Sequence, residues 1–273
     1  MDTSRLNDIK LFLFDMDGTL WLGSRLYPFT KELLRTIREA GKRYLFITNN
    51  SSRSTADYVK KLASFGIEAT GEDFMTSAEA TAYYLTKELP EVRFYVCGTA
   101  SLKAEFSRQG IKMTDNVEDS EGVVLGFDTE LDFKKLHDVS RILCTRDVPY
   151  YATNPDLVCP TEFGSVPDCG SVSGMLRNVS GKMPIFIGKP SPLMIELAME
   201  KCGVSPLETA VIGDRIYTDV KSGLNAGALA VLVMSGETTE EILRESPDKP
   251  DLVLEDAGLL IDRIKSDIPL EVE

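Results

Sequence analysis

The chain has 273 residues, 43% of them hydrophobic, and carries 30 basic against 43 acidic side chains for a net charge of -13. This is enough apolar material for one large globular domain or two ordinary ones. The acidic field argues against nucleic acid or an anionic membrane surface as a partner, so an anionic substrate would need a few local cations to hold it. No apolar run approaches membrane-spanning length, and the polar stretch from Met1 to Lys10 lacks a signal-type segment, so a cytoplasmic protein is expected. Cys97, Cys144, Cys159, Cys169 and Cys202 are odd in number and scattered, which fits reduced thiols better than a disulfide framework or a zinc site. The single histidine, His137, falls in an amphipathic helical pattern and reads as a helix-surface residue.

In chain order, the apolar run Lys10 to Phe14 ends in Asp15-Met16-Asp17-Gly18-Thr19. Apolar residues without alternation fit a strand covered on both faces, and Gly18 lets the chain turn sharply after the acids. Trp21 to Tyr27 is a short excursion, Pro28 introduces a helical pattern through Leu33, Leu34 and Ile37, and Gly41 stops it. Arg43 to Ile47 is a second apolar strand, tipped by Thr48-Asn49-Asn50-Ser51-Ser52 and followed by a helix through Val59, Leu62 and Phe65. Phe74 to Thr76 reads as a short strand and Ser77 to about Leu89 as a helix, ended by Pro90. Strands at Phe94 to Cys97 and Val123 to Phe127 alternate with helices at Leu102 to Arg108 and Phe133 to Cys144, without polar tips. Tyr150 to Thr153 leads into a long loop, Asn154 to Ser171; loops of that length are usually functional or disordered. The earlier pattern then returns. Ile185 to Ile187 ends in Gly188-Lys189-Pro190, a helix runs from about Pro192 to Cys202, and Ala210 to Gly213 ends in Asp214-Arg215 with Asp219 close behind. Ala230 to Met234 forms a further strand.

Strands alternating with helices predict an α/β fold with a doubly wound parallel sheet. The simplest organisation is a core of residues 1–89 and 183–273, interrupted by an inserted α/β unit over residues 90–182 that is a candidate lid. In such sheets ligands gather beyond the C-terminal ends of the strands. Four strands end there in functional groups: Asp15 and Asp17, Thr48 and Asn49, Lys189, and Asp214 with Asp219 nearby. Any one could be an ordinary turn or helix cap. Together they match the needs of phosphoryl transfer: a nucleophile, a divalent cation, and fixed positive and hydrogen-bonding groups around the transferring oxygens. A carboxylate attacking a phosphate oxyanion at ~3.5 Å meets repulsion of roughly 5 kcal/mol per charge pair at an effective dielectric of ~20. One lysine cannot cancel several carboxylates plus a phosphate dianion. Magnesium, hard and oxygen-seeking, suits Asp15 and Asp214 with a backbone carbonyl.

Asp15-Met16-Asp17-Gly18-Thr19, Thr48, Lys189 before a proline, and Gly213-Asp214-Arg215 with Asp219 resemble, in order and spacing, the four motifs of the haloacid dehalogenase (HAD) superfamily. The Thr-Asn-Asn and Gly-Lys-Pro forms and the large insertion resemble more narrowly its NagD-like or 4-nitrophenylphosphatase branch, with a Rossmann-like core and an α/β cap. The resemblance implies that Asp15 is the nucleophile that becomes an aspartyl phosphate and that Asp17 is the general acid and base. Asp15, Asp214 and the Asp17 carbonyl would ligate Mg2+, with Asp219 in support. Thr48, Asn49, Asn50 and Lys189 would bind the substrate, and Asp156, Asp168, Cys169 and Gly170 in the long loop would set specificity. An extra negative charge at Asp168 would favour a neutral sugar, polyol or nucleoside monophosphate ester over a bisphosphate. The expected partner is therefore a small phosphate ester, with no nucleic acid or membrane, and a homodimer is left open. A phosphotransferase or mutase, a receiver-like phospho-acceptor and a binding module without turnover remain alternatives.

Overall fold

The computed structural model describes residues 4–52, 54–161 and 163–266; Met1 to Thr3, at the start of the polar amino-terminal stretch, and the last seven residues of the predicted core lie outside them. Six strands form the larger sheet, in spatial order Leu252–Leu254, Leu229–Val233, Thr209–Gly213, Leu11–Phe14, Arg43–Thr48 and Phe74–Thr76. The Leu11–Phe14 strand lies at its centre, parallel to both neighbours, with Phe14 opposite Ile212 on one side and Phe46 on the other. All four of its residues are buried, as the unalternating apolar run requires for a sheet covered on both faces. Burial of each such side chain stabilises the fold by about 1.5–3 kcal/mol. The next strands outward, Thr209–Gly213 and Leu229–Val233, are also parallel and wholly buried. Their C-terminal ends therefore emerge on one edge with that of Leu11–Phe14. The helix Thr30–Glu39 turns Leu33, Leu34 and Ile37 inward, as its spacing predicts.

A second, four-stranded sheet has the order Ile185–Phe186, Tyr150–Ala152, Gly122–Leu125 and Phe94–Cys97, with every adjacent pair parallel. Its core joins Tyr95, Val123, Leu125, Val139, Ile142, Leu143 and Leu176. In the same unit the Asp128 carboxylate, 1% exposed, pairs with Lys135 at 2.7 Å. His137 lies on the outside of the helix Phe133–Thr145 with its side chain 65% exposed, as its pattern predicts. Among the described residues no helix is long and apolar enough to cross a membrane.

The chain divides into two compact units: Met1–Ile47, Val59–Met75 and Pro190–Glu273 form the first, and Thr48–Tyr58 with Thr76–Lys189 the second. The boundaries fall elsewhere than at residues 90 and 182. Side-chain bonds explain the shift: Ser77 Oγ donates to the Asn49 carbonyl, Ser51 Oγ bonds Thr153 Oγ1, and the Tyr84 ring packs on Tyr151. The 48–58 segment and the helix Ser77–Glu88 are tied by these contacts to the second unit.

The predicted long loop is the largest departure. It holds an antiparallel ribbon, Val158–Thr161 paired with Gly164–Pro167, and the helix Cys169–Ser180 begins inside it. No residue of the ribbon's second strand is buried and both strands carry a proline, so neither alternation nor an apolar run marks it. The helix did have signals: Asp168 as N-cap, Val172 and Leu176 one turn apart, and Gly181 in the left-handed conformation at its end (φ 73°).

Candidate active site

Three carboxylates meet in the first unit. Asp15 follows the central strand, Asp214 follows Thr209–Gly213, and Asp219 lies in the π-helical turn Ile216–Val220; one oxygen from each lies within 4.8 Å of the others. Asp214 is 2% exposed and Asp219 fully buried. At that separation each ionised pair repels by about 3.5 kcal/mol at an effective dielectric of ~20. Backbone amides offset part of this: Glu237 N donates to Asp214 Oδ2 at 2.6 Å and Arg215 N donates to Asp219 Oδ2 at 3.0 Å. Arg215 adds a full positive charge. Burial alone would lower its pKa, yet the charges of Glu237 and then Asp15 outweigh burial and raise it; its Nε lies 2.8 Å from Glu237 Oε2.

The surrounding backbone is shaped for carboxylates. A Cβ on Gly18, whose φ is +86°, would stand 2.4 Å from Asp214 Oδ2, and one on Gly236 would stand 2.0 Å from the same oxygen. Both positions exclude any side chain. An all-oxygen donor set of three acids in such a cradle fits a hard divalent cation, which would offset the remaining repulsion.

Asp17 stands apart from the cluster. Its side chain is 62% exposed, with Oδ1 accepting from Gly23 N at 3.1 Å and Oδ2 3.8 Å from Lys61 Nζ. Gly23 belongs to the turn between the paired two-residue strands Trp21–Leu22 and Arg25–Leu26.

The second unit gathers the other predicted residues around Asn49. The Asn49 Nδ2 donates to the Lys189 carbonyl at 2.8 Å and faces both Asp156 carboxylate oxygens at 3.1 and 3.2 Å. Its carbonyl accepts from Asn154 Nδ2, and Asn154 Oδ1 in turn accepts from Asp156 N. Lys189 is 2% exposed. Thr48 Oγ1 accepts from Asn50 N, and Asn50 Oδ1 accepts from Ser52 N and Oγ. The resemblance implies a substrate role for Asn49; in the structure its Nδ2 is bonded to the Lys189 carbonyl and the Asp156 carboxylate.

Asp168, Cys169 and Gly170 have structural tasks. Asp168, 5% exposed, caps the helix Cys169–Ser180 by accepting from Cys169 N at 2.5 Å. Its charge therefore meets a helix N-terminus, which favours a carboxylate there. Cys169 is fully buried, and burial pushes its thiol up to about 12. A Cβ on Gly170 would stand 2.1 Å from the Pro155 carbonyl, so glycine is required there for close backbone approach.

Residues 12–112 match the haloacid dehalogenase-like hydrolase family, and residues 186–259 match a second HAD-hydrolase-like family. The chain is 34% identical to the 5'-nucleotidase YutF of Bacillus subtilis, over 88% of this chain and 93% of that protein. The chain belongs to the HAD-like hydrolases. It is 29% identical to an acid sugar phosphatase of Staphylococcus haemolyticus, over 95% of this chain and 98% of that one. The solved structure of a Thermotoga maritima 4-nitrophenylphosphatase is 40% identical and superimposes with a TM-score of 0.90, covering 95% and 99% of the two chains. NagD from Escherichia coli K-12 is 28% identical with a TM-score of 0.84, covering 92% and 97%. This HAD enzyme is a phosphatase with the α/β fold of those structures.

Within the HAD framework, sequence reading missed three residues that complete the acid cluster. Arg215 adjoins a predicted ligand but was given no role, although a cation beside three acids is what electrostatics asks for. Gly236 and Glu237 follow the Leu229–Val233 strand, a tip that carried no visible acid-glycine pattern. Their contribution is steric and through the backbone, and neither shows in residue type.

Proposed function

We propose that this HAD phosphatase is a magnesium-dependent phosphomonoester hydrolase acting on small phosphorylated metabolites through an aspartyl phosphate at Asp15. The observation that carries the reading is the cluster of Asp15, Asp214 and Asp219 in a glycine cradle, with Asp15 two residues upstream of the exposed Asp17. Asp15 Oδ attacks phosphorus and the bond to the ester oxygen breaks. Asp17 gives that oxygen its proton, then takes one from the water that hydrolyses the acyl phosphate. Magnesium held by Asp15, Asp214 and the Asp17 carbonyl would stabilise charge on the transferring oxygens, and the position of Asp219 makes it a further ligand candidate. Lys189 and Thr48 are assigned to the phosphoryl oxygens, Asn50 to bracing the loop beside them, and Asn49 to orienting Lys189 and Asp156.

The 5'-nucleotidase and sugar phosphatase relatives support a nucleoside monophosphate or sugar phosphate as substrate, with the 90–182 insertion as the region that selects it. Purified protein should hydrolyse 4-nitrophenyl phosphate with magnesium and stop when the metal is chelated. Asp15→Asn should abolish turnover and leave the circular dichroism spectrum unchanged; a fully active Asp15→Asn enzyme overturns the proposal. A panel of nucleoside and sugar monophosphates then ranks the substrate classes.

A further inference from the structure

The exposed acid, Asp17, sits where side-chain packing cannot orient it. A carboxylate 62% exposed can occupy any of three staggered χ1 wells, and a proton donor is useful only in the one that faces the leaving oxygen. Two tethers restrict it. One is the Gly23 amide at 3.1 Å. The other is Lys61, from the helix Thr55–Ser64, at 3.8 Å.

Lys61 is itself seated. Its ammonium lies 4.5 Å from the centroid of the Trp21 ring, and Trp21 is 1% exposed and packed against Phe65 at 5.8 Å. A lysine head on a flexible four-carbon stem normally samples a wide volume of solvent; the indole face attracts the cation and confines it beside Asp17. Trp21 is tied to the acid loop as well, since its carbonyl accepts from Gly18 N at 2.7 Å. Loop, ring and lysine thus form one mechanical unit within the first compact unit of the chain.

We propose that Lys61, seated on Trp21, is a positioning residue for Asp17 that holds its carboxylate in the well from which it serves the leaving group. This rests on the acid/base role proposed above for Asp17. Choosing one well of three is worth about threefold, and an exposed ion pair is worth about 1.4- to 5-fold, so removing Lys61 should cost about three- to fivefold. The loss should track the leaving group's need for a proton. Phenol, with a pKa near the ~10 of tyrosine, needs the acid more than 4-nitrophenol does.

The test compares kcat/KM for phenyl phosphate and 4-nitrophenyl phosphate in Lys61→Met, Lys61→Gln and Lys61→Arg. Both neutral variants should lose about three- to fivefold on phenyl phosphate and under twofold on 4-nitrophenyl phosphate, with KM little changed. Arginine, which stacks on indole and reaches a carboxylate, should restore most of the loss. Equal losses on both esters, or none on either, overturn the proposal. Asp17→Asn separates the two possible failures. If it too costs both esters equally, the acid role of Asp17 falls; if it discriminates while the Lys61 variants do not, only the positioning role falls.

Discussion

In the six-stranded sheet, a Cβ on Gly18, Gly213 or Gly236 would come within 2.0–2.4 Å of an aspartate side chain; in the four-stranded sheet, one on Gly98 or Gly126 would come within 2.3–2.6 Å of Leu102 Cδ2. Both sheets are built on parallel strands, both have buried apolar strands, and both use glycine at or just past a strand's end to let another group approach. In the first the guest is a carboxylate and the result is a cluster of acids. In the second the guest is a leucine and the result is a packed core. A glycine after a strand is therefore a statement about closeness, and the chemistry depends on what fills the space.

The sharpest way to break the comparison is to fill both kinds of space. Gly236→Ala should displace Asp214 and lower kcat/KM on the order of a thousandfold, the scale of losing charge-stabilising groups. Gly126→Ala should leave kcat/KM nearly intact and lower the melting temperature as Leu102 shifts. Comparable activity losses in both would mean the second sheet is part of the catalytic apparatus. The second sheet's own buried charge gives the next largest effect. Lys135→Met would strand the Asp128 carboxylate and should cost about 3 kcal/mol in denaturant unfolding, at the low end for a broken buried pair because Lys135 keeps 18% exposure. A cost under ~1 kcal/mol would show that water reaches Asp128.

Asp168→Ala should cost about 1 kcal/mol as a lost N-cap, and Asp168→Asn much less. Neither should change the ranking of singly and doubly phosphorylated substrates; a gain on bisphosphates would show that the carboxylate faces the substrate after all. The smallest effect is chemical. Burial pushes Cys97 and Cys169 up to about 12, so at pH 8 both remain protonated thiols shielded from reagent, while Cys144 is exposed. Peptide mass mapping after brief iodoacetamide treatment should find label at Cys144 and not at the buried pair.

The strand that delivers Asp15, the strand that delivers Asp214, and the α/β class were legible because buried parallel strands write themselves as apolar runs and their tips as abrupt polar residues. Asp219 was legible as a supporting acid, but the π-helical turn that brings it level with Asp15 and Asp214 has no residue signature. The ribbon in the second unit escaped because it buries neither face. The unit boundary escaped for a different reason: Asn49, Ser51 and Ser77 look like polar loop and cap residues, and only their partners show which unit they belong to. For Asn49, residue type alone does not show the bonds its Nδ2 makes to the Lys189 carbonyl and the Asp156 carboxylate.

The chain contains one tryptophan, and it is the buried ring beneath Lys61 whose indole N–H has no hydrogen-bond partner among the described residues. Ultraviolet emission excited at long wavelength therefore reports from a single point beside the acid loop. Such an indole, shielded from water, should emit toward the blue, and a red shift would follow if the hairpin opened. Metal titration, substrate docking and hairpin motion could then be timed optically on the native enzyme without attaching a dye.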